Sequence, residues 1–340
     1  MQRTLVIGLG TMGSVHTKAF YEMPDAELVG VVDRNLEKRQ QFSERYETNE
    51  YETFQEALTK LNERIDVVSI CLPTDEHPEY VKQAADAGIH VICEKPIART
   101  PELARELIDY CKEKKVQLFV GHVVRFFQEY VEAKQVIDSG AIGKINVVRT
   151  RRGGAFPQVP SDWYSDYSRS GGLVLDTIIH DFDFLRWCFG NVTRVYAKSI
   201  AGAKGVNEKK RDYASVTLRF ASGVIAHVEG TWAHRQFSTA FEFSGTDGVI
   251  DYDSQKQKAV ITEIHQTEGS GAGVAVPESP LQLSPYDREL RHFISCIETG
   301  SEPVVTAEDA YEAVVISHAA LASIADGEVV EITAEGVKSS

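Results

Sequence analysis

Over the first 120 residues, apolar strand-like runs alternate with helix-like segments. The runs are 4–10 (TLVIGLG), 26–33 (AELVGVVD), 66–73 (DVVSICLP), 90–96 (HVICEKP) and 116–122 (VQLFVGH). Helical patterns fill the intervals at 12–22, 35–46, 53–63, 76–87 and 100–114. Near-continuous apolar strands joined by helices are compatible with a parallel sheet covered on both faces. Thr100 followed by Pro101 marks a helix start, with a hydroxyl cap and a proline in the first turn.

Beyond residue 123 the pattern changes, which divides the chain into domains at 1–123 and 124–340. A helix at 128–139 and a strand at 144–152 lead into a loop, 153–171, rich in Gly, Pro, Ser and aromatics. After a helix at 172–187, strands succeed one another at 193–201, 212–220, 223–232, 237–245, 248–252 and 257–264. Such a succession predicts a large, mostly antiparallel open sheet. The segment 268–280 (EGSGAGVAVPESP) is expected to be a loop. Helices at 284–299 and 306–325 and a short strand, EVVEIT, complete the chain. The expected class is α/β in two domains.

The stretch VIGLGTMGSVH places Gly8, Gly10 and Gly13 in G-x-G-x-x-G spacing, after a strand and at the start of a helix. In that context Gly8 permits a tight turn, Gly10 admits a pyrophosphate to the backbone, and Gly13 allows close helix–strand packing. The first-turn residues Thr11 and Met12 bring free amides to the phosphates. Asp33 ends the second strand twenty residues past Gly13, where an acid binds the adenosine ribose. An acid there favours NAD over NADP. The neighbouring Arg34 is able to hold a 2′-phosphate and pulls the other way.

Ligands of open α/β sheets bind beyond the carboxyl ends of the strands. One such end carries Leu72, Pro73 and Thr74, and another carries Glu94, Lys95 and Pro96. Both are cofactor-side candidates. A Lys95 ammonium near the nicotinamide would hold a substrate oxygen and stabilise alkoxide charge. A surface lysine before a turn proline is the plainer reading. His77 starts the next helix, either as a solvated residue or as part of the cofactor edge. His122 follows the last strand and is a substrate-side candidate.

Between Leu173 and Trp187 nine of fifteen residues are apolar, yet Asp176, His180 and Asp183 interrupt them at spacings of four and three. On a continuous helix those spacings share a face. Thr177 and Asp181 form a second polar line. A buried His–Asp pair is either structural or a proton-transfer device.

The net charge of −14 disfavours nucleic acid, and no apolar run approaches a membrane span. The N-terminus shows no signal-peptide order. Five cysteines, at 71, 93, 111, 188 and 296, show neither a CxxC pair nor zinc spacing. No metal is expected, and reduced core cysteines suit a cytoplasmic location. The basic stretch RTRRGG (Arg149, Arg151, Arg152) is expected to be a solvated or subunit-facing strand rather than a site for an acidic sugar.

Together, GLGTMG, EKP and SGGLVLDTIIHDFDFLRW resemble the Gfo/Idh/MocA oxidoreductases, which include inositol dehydrogenases and glucose–fructose oxidoreductases. Ser170 replaces the first of three family glycines, and Tyr164 follows Trp163 where many members carry Arg. The resemblance implies an N-terminal Rossmann domain, a C-terminal α/β domain that mediates oligomers, and a catalytic set of Lys95, Asp176 and His180. It implies an NAD(P)-dependent dehydrogenase of a sugar or polyol, with Asp183 on substrate hydroxyls. Either His180 or Lys95 would carry the proton. The rivals are a cofactor-binding sensor or regulator and a glycosidase that keeps NAD bound. A homodimer or homotetramer is expected through the outer face of the second sheet, where Ile225, His227 and Glu229 oppose Val224, Ala226 and Val228.

Overall fold

The computed structural model describes residues 1–61, 65–159, 162–200, 213–256, 261–263, 283–333 and 336–339. The chain forms two compact units: Met1–Phe126 with Pro280–Tyr311, and Phe127–Ser279 with Glu312–Ser340. The first contains β1 (Gln2–Ile7), α1 (Thr11–Glu22), β2 (Ala26–Val32), α2 (Leu36–Tyr46), β3 (Asn49–Tyr51), α3 (Phe54–Lys60), β4 (Val67–Ile70), α4 (His77–Asp86), β5 (His90–Glu94), α5 (Pro101–Glu113) and β6 (Leu118–Gly121). The second opens with α6 (Gln128–Asp138), β7 (Ile145–Ala155), α7 (Tyr167–Ser170), α8 (Gly172–Asp176) and α9 (Ile179–Phe189). Strands β8 (Val192–Ile200), β9 (Tyr213–Phe220), β10 (Ile225–Thr231), β11 (Ala233–Gly245), β12 (Val249–Asp253) and β13 (Ile261–Glu263) follow. The last elements are α10 (Pro285–Thr299), α11 (Ala307–Asp326), β14 (Val330–Thr333) and β15 (Gly336–Ser339).

The first sheet runs β3-β2-β1-β4-β5-β6, every pair parallel. Its edge strand β3 has three residues, two of them polar, too short to leave a pattern in the sequence. Val6, Val31, Val67, Ile92 and Phe119 form one buried cluster with Phe20 of α1 and with Leu290, Phe293 and Ile294 of α10. Phe119 and Phe293 stack at 4.9 Å. Helix α10 therefore belongs to the first unit, whereas a division at 123/124 assigns it to the second. Its apolar face is satisfied by any apolar sheet, and only the tertiary contact decides which one.

The second unit holds a nine-stranded sheet, β13-β12-β11-β7-β10-β9-β8-β14-β15. The β7–β10 pair is parallel and the other pairs are antiparallel. Ala226, Val228, Phe241 and Phe243 are buried, as are Phe182, Phe184 and Leu185 of α9. Phe184 stacks on Phe243 at 5.9 Å, seating α9 on the sheet. The helix expected over 172–187 is two helices, because Thr177 and Ile178 form a turn between α8 and α9. Gly230 makes room for that turn: a Cβ there would lie 2.5 Å from Ile178 Cγ2. The loop 268–280 lies outside the described residues, as do residues 257–260 of the last expected strand.

The opposite sheet face is more polar than the alternation suggests. Arg149 pairs with Glu242 at 2.5 Å, Arg151 with Asp253 at 3.4 Å, and His227 with Thr217 at 3.2 Å. Val228 points into the core at 1% exposure and cannot take part in an outer contact.

Candidate active site

The first group of candidate residues surrounds the β1–α1 turn. Gly8 has φ +88°, and a Cβ on it would lie 2.5 Å from the Cys71 carbonyl oxygen. A Cβ on Gly13 would collide with the Gly8 carbonyl. A Cβ on Gly10 would instead meet open space, and no side chain caps the helix that starts there. An uncapped helix end with room above it fits a pyrophosphate. Asp33 is aimed from below: its carboxylate accepts from Leu9 N at 2.8 Å and from Asn35 N at 2.7 Å. The Arg34 guanidinium is engaged by Glu76 at 2.7 Å, which offsets the charge a 2′-phosphate would need. These residues fit NAD.

The ends of β4 and β5 are tied together beneath this turn. His77 is fully buried, so it is not a solvated helix start. Its Nδ1 lies 2.8 Å from the Pro96 carbonyl oxygen and its Nε2 lies 2.9 Å from that of Leu72. Burial lowers its pKa, although both carbonyls favour the protonated ring. With both ring nitrogens turned to the backbone, His77 braces the loop after β4 against the loop after β5 that carries Lys95. Thr74 is likewise buried, whereas Leu72, Pro73 and Lys95 are half-buried.

Glu94 is held from two sides. One oxygen is 3.1 Å from His16 Nε2, and the other accepts from Lys95 N at 3.2 Å. His16 Nδ1 lies 2.7 Å from Ser69 Oγ and 3.4 Å from Cys71 Sγ. Burial alone would lower the His16 pKa; the Cys71 sulfur and the Glu94 carboxylate more than offset it and hold it well above the ordinary imidazole value. Burial alone would raise Glu94, but His16 and Lys95 bring it below the usual carboxylate range. Sequence reasoning missed His16 and Ser69. Their signal was a histidine three residues past Gly13 and a serine inside the apolar run of β4.

The second group lies on α8 and α9. Asp176 ends α8 at 6% exposure, Asp183 is fully buried, and His180 is half-buried in the first turn of α9. Thr177 Oγ1 donates to Asp176 Oδ2 at 3.3 Å and accepts from Trp232 Nε1 at 2.9 Å. Asp181 pairs with Arg152 at 2.6 Å, and Arg152 also donates to the Tyr130 hydroxyl at 3.0 Å. Asp181 is thus an anchor that fastens α9 to β7, and Arg152 is neither solvated nor subunit-facing. His122, in the first unit, is fully buried just past β6. Burial of His122 and Asp183 suits support of neighbouring groups better than direct contact with a substrate. Among the described residues no cluster of three or more His, Cys, Asp or Glu is placed to hold a metal, and no helix is long and apolar enough to cross a membrane.

Residues 2–122 match the family described as an oxidoreductase family with an NAD-binding Rossmann fold. Residues 130–251 match the GFO/IDH/MocA C-terminal domain. The chain is 31% identical to a myo-inositol 2-dehydrogenase of Thermotoga maritima, over 94% of this chain and 95% of that protein. It is 32% identical to an inositol 2-dehydrogenase of Rhizobium meliloti, over 94% and 96% respectively. Among solved structures it is similar to GenD2 of gentamicin A biosynthesis in complex with NAD. The TM-score is 0.86, at 26% identity, with 98% of this chain and 97% of that chain covered.

Proposed function

The chain belongs to the GFO/IDH/MocA oxidoreductase family, and we propose that Lys95, Asp176 and His180 form its catalytic set. The protein is an NAD-dependent oxidoreductase acting on a secondary alcohol of a sugar or polyol. An inositol-like polyol is the substrate class this reading favours, because the inositol dehydrogenases match along nearly the whole chain. The observation that carries the catalytic assignment is the half-buried His180 four residues past the buried Asp176, across the turn that joins α8 to α9. Such a histidine is suited to proton transfer near neutral pH.

The β1–α1 turn, Asp33 and the ends of β4 and β5 would hold NAD, which would supply the hydride acceptor for the substrate carbon. His180 takes the hydroxyl proton as the carbonyl forms. Asp176 stabilises the resulting imidazolium. Lys95 holds the reacting oxygen and stabilises its developing negative charge. Glu94, locked by His16, fixes the backbone N–H of Lys95 and so its direction.

Steady-state NADH formation from a panel of inositols and sugars tests the activity. Turnover with none of them would favour a sensor, and cleavage of a glycoside without NADH accumulation would favour a glycosidase. Lys95→Met is expected to lose at least about 100-fold in kcat with an unfolding midpoint close to wild type. Near wild-type turnover would remove Lys95 from the set.

The reading also includes a homo-oligomer assembled on the uncovered sheet face. Tyr196 at 40% exposure and Ile200 at 61% supply apolar area there, among Arg194, Lys198 and Arg219. Light scattering is expected to give a multiple of the 37.7 kDa chain, lowered by Tyr196→Glu. A monomer mass for the wild type would refute it. A cytoplasmic location suits the five free cysteines.

A further inference from the structure

We propose that Cys71 is a reactive thiol at the floor of the dinucleotide cradle, open to peroxide and alkylating electrophiles and shielded when NAD is bound. The shielding rests on the cradle reading above. The reactivity rests on geometry within the first unit alone.

Cys71 is the first residue past β4 and is half-buried, whereas Cys93, Cys111 and Cys296 are buried. It stands in a nucleophile–base–orienter arrangement. Its sulfur is 3.4 Å from His16 Nδ1, and His16 Nε2 is 3.1 Å from Glu94. His16 is fully buried and Glu94 is 7% exposed, so their contact is sheltered from solvent. Ser69 Oγ sits 2.7 Å from His16 Nδ1 and 3.7 Å from the sulfur. The Ser69 hydroxyl is thus within reach of both the His16 ring and the Cys71 sulfur. A buried histidine and a hydroxyl set against one partly exposed sulfur are the surroundings in which reactive cysteines are found.

Three of the other four cysteines are buried. Cys93 and Cys111 are buried, and burial raises both thiols, Cys111 to about 12. Cys296 contacts His292 at 3.5 Å and accepts from Ser301 Oγ at 3.6 Å, but it is fully buried and closed to reagents. Cys188 is half-buried like Cys71 and serves as the internal reference.

The placement explains the shielding. A Cβ on Gly8 would lie 2.5 Å from the Cys71 carbonyl oxygen, and one on Gly13 would lie 3.5 Å from Cys71 Cβ. With peroxide, the thiolate attacks one peroxide oxygen. An S–O bond forms, the O–O bond breaks, and hydroxide leaves and is protonated to water. Sulfur is oxidised to sulfenic acid and the peroxide is reduced. With iodoacetamide, an S–C bond forms and iodide leaves.

The test is brief iodoacetamide labelling of the intact protein, read peptide by peptide by mass spectrometry. Cys71 is expected to label at least about tenfold faster than Cys188. His16→Gln should bring the two rates together. Glu94→Gln, which keeps the shape of the orienter, should slow Cys71 in the same direction. Saturating NAD should slow Cys71 alone. In Cys71→Ser, the fraction of activity lost to hydrogen peroxide should fall, whereas wild type should lose activity that dithiothreitol restores. Equal rates for Cys71 and Cys188 in the wild type overturn the proposal, whatever the variants do. An unchanged Cys71 rate in folded His16→Gln also overturns it. NAD binding is followed separately by fluorescence. Bound NAD that leaves Cys71 labelling unchanged overturns the shielding, whereas absence of NAD binding overturns the cradle reading instead.

Discussion

His180→Ala is expected to lose about 100- to 10,000-fold in kcat, the contribution of a positioned acid–base group. NAD affinity should stay within about twofold, because the residues fitted to NAD are the β1–α1 turn, Asp33 and the ends of β4 and β5. His180 lies instead on α9, in the other unit. Stopped-flow turnover and NADH fluorescence titration separate the two quantities. Asp176→Asn should lower kcat in the same direction, because an amide cannot neutralise an imidazolium. If Lys95 were the proton carrier, His180→Ala would cost less than about tenfold at neutral pH. A loss that small sinks the assignment.

Arg152→Met is expected to be the most destabilising single change outside the apolar core, by about 3–5 kcal/mol. Arg152 and Asp181 are 4% and 1% exposed and meet at 2.6 Å. Removing the guanidinium leaves a buried carboxylate without its counter-ion and a buried Tyr130 hydroxyl without its donor. All three tryptophans, at 163, 187 and 232, lie in the second unit, so their fluorescence reports its unfolding in denaturant. Adding Asp181→Leu should recover most of the loss, because replacing both members of a buried pair avoids the unpaired charge. A cost below about 1 kcal/mol for the single variant would show that the pair is dispensable.

Much of the cofactor half was legible in the residues. G-x-G-x-x-G after a strand specifies both a backbone path and a place for phosphate, since the requirements at Gly8 and Gly13 are local and steric. Asp33 was legible for a similar reason: the βαβ unit sets how far along the chain the second strand ends. The Asp176–His180–Asp183 stripe was legible as a polar intrusion into an apolar segment. Its geometry was not, because the spacing assumes one helix and the chain turns at Thr177–Ile178.

Alternation, helix spacing and turn chemistry act over a few residues, so the sequence by itself determined two sheets, the cradle, and most of the helical segments, but not the break between α8 and α9. Tertiary structure alone decided the partners. His16 meets Ser69 across 53 residues of chain and Glu94 beyond that; Arg152 meets Asp181 across 29. It also decided that α10 covers the first sheet and that Val228 faces inward. An apolar face or a buried charge states that a partner is needed. Which partner satisfies it depends on what the folded chain brings within a few ångströms, and neither periodicity nor spacing encodes that distance.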